Sequence, residues 1–303
     1  MTVVSLERVG RSPALARRFF DRVEPVHVVT YFAPECRAAF DALGYPGFWM
    51  SYFAARSAPL GTVPAEVVAA TFYNFTLARV ARALPAAWDI ASPDTLLATR
   101  LDSAVAALRR AGVTDSESTR VAAELAATAA REAAWEGRPL YAANRALDWP
   151  DEPVARLWHA ATLLREQRGD AHIAVLVSEG ISGRESNVLH SAAGRVPRAA
   201  IMRVRDYDDD EWAEHVDAMR RRGWFDAAGD ITESGRAAKQ AIEDRTDELA
   251  LRALDPLSDD DVEALFTALT PITRAVIAAG DIPLATPMGL GRDDLDDGSA
   301  RLR

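Results

Sequence analysis

This sequence predicts a mainly α-helical protein of two similar helical units, with one small β-hairpin in the C-terminal half. Three observations carry that expectation. Alanine-rich, helix-favouring segments dominate, while long alternations of β-branched residues are almost absent. Residues 206–249 read as helix, hairpin, helix. Finally, stretches between residues 61 and 113 are echoed between 180 and 224. With 303 residues and 49% hydrophobic content, two domains can each bury a core.

In chain order, residues 1–24 are expected to form an N-terminal arm. Residues 1–12 lack a clear period, and a short helix over 13–23 should stop at Glu24-Pro25, because the residue before proline avoids the α region. A helical domain is expected over 25–136. It starts with helices at 26–31 and 34–43, the latter with Pro34 at an early position and Gly44 as the stop. In the next helix Trp49, Tyr52 and Phe53 share a face, and Pro59-Leu60-Gly61 ends it. Further helices are predicted over 64–72, over 75–87, and over 92–112 with Ser92 as cap, Pro93 at N1 and Gly112 as the stop. The alanine-rich stretch 116–135 is helical, and the weakly periodic, proline-bearing stretch 137–153 reads as an interdomain passage.

The second domain, 154–285, opens on a helix reaching about residue 167, with Leu157, Ala160, Ala161 and Leu164 as its stripe. Arg168-Gly169-Asp170 reads as a turn, with Asp170 as N-cap for a helix over 172–179. Ser182 caps another over 183–193. In 209–222 the apolar residues Trp212, Val216 and Met219 make one stripe, and Gly223 follows three arginines where a C-cap belongs. Trp224-Phe225 and Ile231-Thr232 flank the turn residues 226–230 as two short strands. Thr232 then starts a helix with Ile242 and Leu249 inside. That order is the second half of a winged helix-turn-helix. Residues 255–279 are a last pair of helical runs, and the Asp/Gly-rich tail, 286–303, is expected to be disordered.

The internal echo concerns AVAALRRAGV at 104–113 and HVDAMRRRGW at 215–224, which share apolar spacing, arginines and stop. Upstream, Gly61-Thr62-Val63 and Glu66-Val67-Val68 parallel Gly180-Ile181-Ser182 and Glu185-Ser186-Asn187-Val188. A tandem duplication of winged-helix-like units would make the chain a pseudo-dimeric monomer, with a natural ligand pocket between its halves.

The 206–249 pattern is similar to the MarR-like winged-helix superfamily. Larger pieces resemble an actinobacterial helix-turn-helix family: residues 56–61 (RSAPLG), 72–75 (FYNF), 137–140 (GRPL), 164–172 (LREQRGDAH) and 243–247 (EDRTD). MarR-like kinship implies DNA binding through a recognition helix, modulated by small aromatic or amphiphilic ligands. No catalytic residue carries over.

The residues speak against DNA. The net charge is −10, and the helix in the reading position opens with Asp208-Asp209-Asp210-Glu211, followed by Glu214 and Asp217. Phosphates repel such a helix, and neutralising phosphates supplies most non-specific affinity. Arg184, Arg195, Arg198, Arg203, Arg205 and the cluster 220–222 are the alternative, a phosphate-contacting surface. The lone Cys36 excludes an intramolecular disulfide, and the scattered histidines show no metal-ligand spacing. No glycine-rich phosphate loop or nucleophile elbow is present, so no cofactor is expected. Without a leader or a long apolar run, the chain is expected in the cytoplasm.

Candidate site residues cluster around 159–172. Arg165 and Arg168 could hold a carboxylate or phenolate, while His172 or Glu166 could act as general base. Arg56, Tyr52 and Asn74 occupy helix ends among aromatics in the first half, and Trp158 joins them as a ligand contact. Three readings stay open: a ligand-binding winged helix with DNA contact reduced or lost, a DNA-binding regulator, and a cofactor-independent enzyme on that scaffold.

Overall fold

The computed structural model describes residues 10–284, 286 and 290–302. The fold is organised around helix α9, Pro153–Ser178. Every residue from 157 to 164 in it is buried, so it has no solvent face. A helix that is apolar all round must run through a core rather than along one. Small residues allow this: Ala160 and Ala161 let neighbouring helices approach closely on either side.

Helices α1 (Pro13–Phe32), α6 (Pro93–Arg110), α7 (Glu117–Glu132), α13 (Glu233–Leu251) and α14 (Asp259–Ala278) surround the early and middle turns of α9 or one another. One apolar cluster joins α1, α6, α7, α9 and α14, with Val26, Leu108, Ala127, Leu163 and Phe266 inside it. A second fills the space between α2 (Pro34–Ala42), α3 (Gly47–Ser57), α4 (Ala65–Phe72) and α5 (Leu77–Ala81), around Phe53 and Phe72. The third lies between the end of α9 and α10 (Gly183–Ala192), α11 (Arg198–Arg205), α12 (Asp209–Arg221) and α13.

Several expectations change because tertiary partners override local signals. Glu24-Pro25 does not end a helix; α1 runs through it, with Arg22, Val23, Glu24, Pro25 and Val26 all buried. The missing proline donor, ordinarily costly in a helix interior, is offset by that burial. Residues 13–24 of the expected arm are therefore part of α1 and reach into the core, while residues 1–9 lie outside the described part. Nor does Arg168-Gly169-Asp170 break α9. Arg168 bonds Asp247, and Asp170 accepts from the backbone N–H groups of Leu140 and Tyr141, each at 2.9 Å. Asp170 is thus an N-terminal cap, but for α8 (Pro139–Arg145) rather than its own helix. The stretch expected as an interdomain passage holds α8, whose Leu140 and Tyr141 are fully buried. The stretch expected as a helix over 75–87 divides into α5 and a 3-10 turn over Ala86–Asp89.

The hairpin wing is not formed by strands. Among the described residues, Phe225 and Ile231 make one isolated antiparallel bridge. The arms are too short because their outer residues are claimed by helix ends. Trp224 N–H closes α12 on the Met219 carbonyl, and the Thr232 hydroxyl caps α13. Asp226 holds the loop by accepting from the N–H groups of Ala228 and Asp230. The described part of the tail, residues 286 and 290–302, packs on the rest of the chain instead of being disordered; residues 287–289 and 303 lie outside the described part. Leu295 and Ala300 are buried, and Arg22 donates to the carbonyls of Asp294 and Asp297.

A second helix, besides α8, was missed as well. α11 precedes α12 across Asp206, which sits in the left-handed region at φ 52°. Asp208 then caps α12 by accepting from Glu211 N–H. A short helix, a tight turn and a longer helix here form the helix-turn-helix. The same order, α4, α5 and α6, occurs in the first half, where residues 114–116 lead straight into α7.

The halves meet at a strained corner. Tyr73 has φ 61° and ψ −51°, and Asn74 N–H bonds the Phe72 carbonyl at 2.7 Å, a γ-turn of the rare kind. A Cβ on Gly183 would lie 2.0 Å from the Tyr73 carbonyl oxygen. Gly183→Ala is expected to destabilise by about 3 kcal/mol or more. Gly298→Ala, where the nearest atom is 3.9 Å away, should stay within about 0.5 kcal/mol; equilibrium denaturation of both compares them directly.

Candidate functional site

Two charged clusters flank the middle of α9. In the first, Glu166 accepts from Arg56 Nε at 3.2 Å and Nη2 at 3.1 Å, a bidentate pair, and from Arg165 Nη1 at 2.8 Å. Arg56 lies over the Phe72 ring at 4.1 Å and donates to the Tyr52 hydroxyl at 3.0 Å. Burial alone would raise the Glu166 pKa, but the two guanidiniums outweigh it and hold the carboxyl well below the usual range. Glu24 is pushed the other way, chiefly by burial, with Arg165 opposing at 3.5 Å.

The second cluster lines a cavity of about 610 Å³ enclosed mainly by α1, α9, α10 and α13. Glu243 takes Arg17, Lys239 and, at 3.4 Å, Arg168. Asp247 takes Arg168 at 2.8 Å and Arg17 at 3.4 Å. His172 Nδ1 lies 3.0 Å from Thr246 Oγ1, whose own hydroxyl donates to the Ile242 carbonyl. The imidazole therefore donates from Nδ1 and keeps its lone pair on Nε2. Burial lowers His172 to about 3 and His190, on α10, to about 4. Asp21, which accepts from Gly291 N–H, is raised to about 6 by burial.

The residues expected at a site separate into three groups. Arg165, Arg168, His172 and Asn74 line the cavity. Arg56 and Glu166 do not; they form the buried pair behind it, and a carboxylate held that far down is a poor proton acceptor, so Glu166 as general base is withdrawn. His172 cannot gain a proton near neutrality, although its Nε2 can accept a hydrogen bond. Tyr52 belongs to the aromatic core with Phe53 and Phe75. Trp158 is core as well, donating to the His27 carbonyl beneath Arg100. The pocket expected between the halves is displaced, since of the residues 25–136 only Asn74 reaches this cavity. Sequence reasoning missed the cavity's α1 and α13 walls. The spacing of Lys239, Glu243 and Asp247, at i, i+4 and i+8, was a usable signal for one helix face.

The helix-turn-helix has its own electrostatics. On α12, Asp209, Asp210, Ala213, Glu214, Asp217 and Arg221 are exposed. The arginines expected to offset these acids are largely spent within the chain. Arg184 lies 3.3 Å from the Tyr207 ring centroid and bonds Glu211 from Nε at 2.7 Å. Arg198 bonds Asp209, Arg205 is buried over Phe75, and Arg220 bonds Asp217 and two loop carbonyls. Arg222 donates to the carbonyls of Glu179 and Gly180.

A helix-turn-helix family matches the chain over residues 16–283. The chain belongs to that family. No curated protein matches it, and no solved structure does. The helix-turn-helix family match runs from α1 past α14, so it takes in the cavity walls as well as α11 and α12. Among the described residues, no helix is long and apolar enough to cross a membrane.

Two outcomes follow for this site. Glu166→Gln leaves two buried guanidiniums undercompensated and is expected to cost about 3–5 kcal/mol, whereas Arg56→Met with Glu166→Leu should recover much of it; denaturant midpoints compare the variants. His190 has its folded pKa lowered to about 4, against about 6.5 unfolded. The unfolded chain therefore binds the extra proton first, and stability is lost as pH falls from 6.5 toward 4. Asp21 acts oppositely: with its folded pKa raised, stability falls as pH rises toward 6. His190→Gln should accordingly remove about 2 kcal/mol of the loss between pH 7.5 and 5, read from denaturation at both values.

Proposed function

We propose that this helix-turn-helix protein binds a small aromatic or amphiphilic molecule in the cavity between α1, α9, α10 and α13. DNA contact through α12 is reduced or lost in this reading. The observation that carries it is the acidic outward face of α12, with Arg184, Arg198 and Arg220 engaged inside the chain. A reading helix needs neutral or basic groups between two phosphate backbones. The cavity supports the ligand half, since its size falls in the range of small-molecule sites. Phe20, with Arg168 4.4 Å from its ring centroid, offers an aromatic surface there.

The order helix, turn, helix, looped bridge, helix supports a MarR-like relationship. The repeated order of α4–α6 and α10–α12 supports a tandem duplication, the chain then being a pseudo-dimeric monomer.

Family membership favours a second reading, a DNA-binding regulator that uses Arg203 and Arg221, both exposed. Fluorescence anisotropy with a random duplex at low salt separates the two. Non-specific binders reach Kd values of about 10⁻⁴–10⁻⁶ M even at physiological salt, so no signal is expected here up to tens of micromolar (roughly). Tight, steeply salt-dependent binding would favour the regulator. Lysines in place of Asp209, Asp210 and Glu214 should create the missing low-salt binding.

A further inference from the structure

Within ion-pairing distance the charges around the cavity do not cancel. Arg17, Arg168 and Lys239 share Glu243 and Asp247, three cations to two carboxylates, while Arg195 and Asp244, also in the lining, bring one charge of each sign. Arg165 brings none, because Arg165 and Arg56 are matched by Glu24 and Glu166. His172 and His190 are neutral for the reason already given. The remaining counter-charge is Asp21, one turn from Arg17 on α1. Among the described residues no ion pair within 4 Å holds it, and the Gly291 N–H is its hydrogen-bond partner.

The identity of the third cation points the same way. Lys239 is the only lysine among 35 lysines and arginines, and it stands in this wall with its side chain 12% exposed. An ammonium is compact and carries three donors in a tetrahedral fan, whereas a guanidinium is a flat, larger fork. Two arginines already stand beside Glu243, and a lysine leaves more open volume there than a third would. The lining also carries the apolar side chains of Leu176, Leu189, Ile242 and Phe20.

We propose that the cavity takes an organic monoanion. Its carboxylate lies against Arg17, Arg168 and Lys239, and its apolar or aromatic body along Phe20, Leu176, Leu189 and Ile242. This rests on the ligand-binding reading above and specifies its charge. Binding brings a carboxylate into direct contact with the cluster, where it competes with the nearby charge of Asp21 for the same cations.

The experiment uses the full chain and four probes of matched shape: 3-phenylpropionate, 3-phenylpropanol, 3-phenylpropylamine and phenylsuccinate, titrated by calorimetry with thermal shift as a second readout. Phenylpropionate is expected to bind tightest, by about tenfold or more over the alcohol and amine, because the charge acts in a partly buried site. Phenylsuccinate should be weaker than phenylpropionate, since its second carboxylate finds no cation in excess. Two variants should move phenylpropionate in opposite directions. Lys239→Met should weaken it and Lys239→Arg keep the charge and much of the binding, whereas Asp21→Asn should strengthen it. A folding defect would not produce opposite signs. Preference for the amine or alcohol, or equal binding to Lys239→Met, overturns the monoanion assignment and leaves ligand binding standing. No response to any of the four removes the ligand-binding reading itself.

Discussion

A carboxylate in the middle of a helix without a solvent face needs its counter-charges brought to it. Glu166 is that group, and the arrangement of the surrounding helices depends on meeting its requirement. Removing a carboxylate from water costs several kcal/mol even after relaxation. Arg165 supplies one partner from the same helix, but the bidentate partner, Arg56, comes from α3, 110 residues earlier. The end of α3 is therefore held against α9, and with it the aromatic corner that Arg56 covers through Phe72. Arg165 reaches in turn to Glu24 on α1. One buried ion network so ties three helices from distant parts of the chain, and the cavity opens just beyond it, one turn further along α9.

Much of the helical content was legible in the sequence, because caps act locally. Ser92, Ser116, Ser182, Asp208 and Thr232 each accept from the N–H three residues on. Such a bond depends on neighbours in the chain, and hence on sequence. What could not be read were the places where a distant partner decides. Pro25 stays helical because both sides of it are buried. Asp170 has the chemistry of a cap, but nothing nearby in sequence shows that the N–H groups it meets belong to Leu140 and Tyr141. The tail looked disordered from its aspartates and glycines, whose backbone carbonyls turn out to satisfy Arg22.

The candidate site divided along the same line. Residues close together on α9, Arg165, Arg168 and His172, could be found from their spacing. Their partners on α1 and α13 could not, since pairing Arg17 with Glu243 spans 226 residues. The order helix, hairpin, helix was also a correct guide to the helix-turn-helix, while the strands it implied were too short to form. Arg184, Arg198 and Arg220 looked like a basic surface in sequence, but in space they pair with acids of α12, and Arg220 also binds carbonyls of the loop after it.

The corner between the halves has a consequence for how the chain can be divided. Asp206, the left-handed residue at the bend of the helix-turn-helix, is held by Arg79 of α5 and by Arg82 just after it. Gly183, at the start of α10, is filled by the Tyr73 carbonyl, and Asn187 donates to the Asn74 carbonyl. The helix-turn-helix is therefore not a portable module. Cut free of the first half, it would lose the counter-ions of its turn, the surface covering α10 and the arginine that balances Glu166. A fusion or fragment built on residues 154–285 would carry those unpaired groups into solvent, so this helix-turn-helix is complete only together with the first half of the chain.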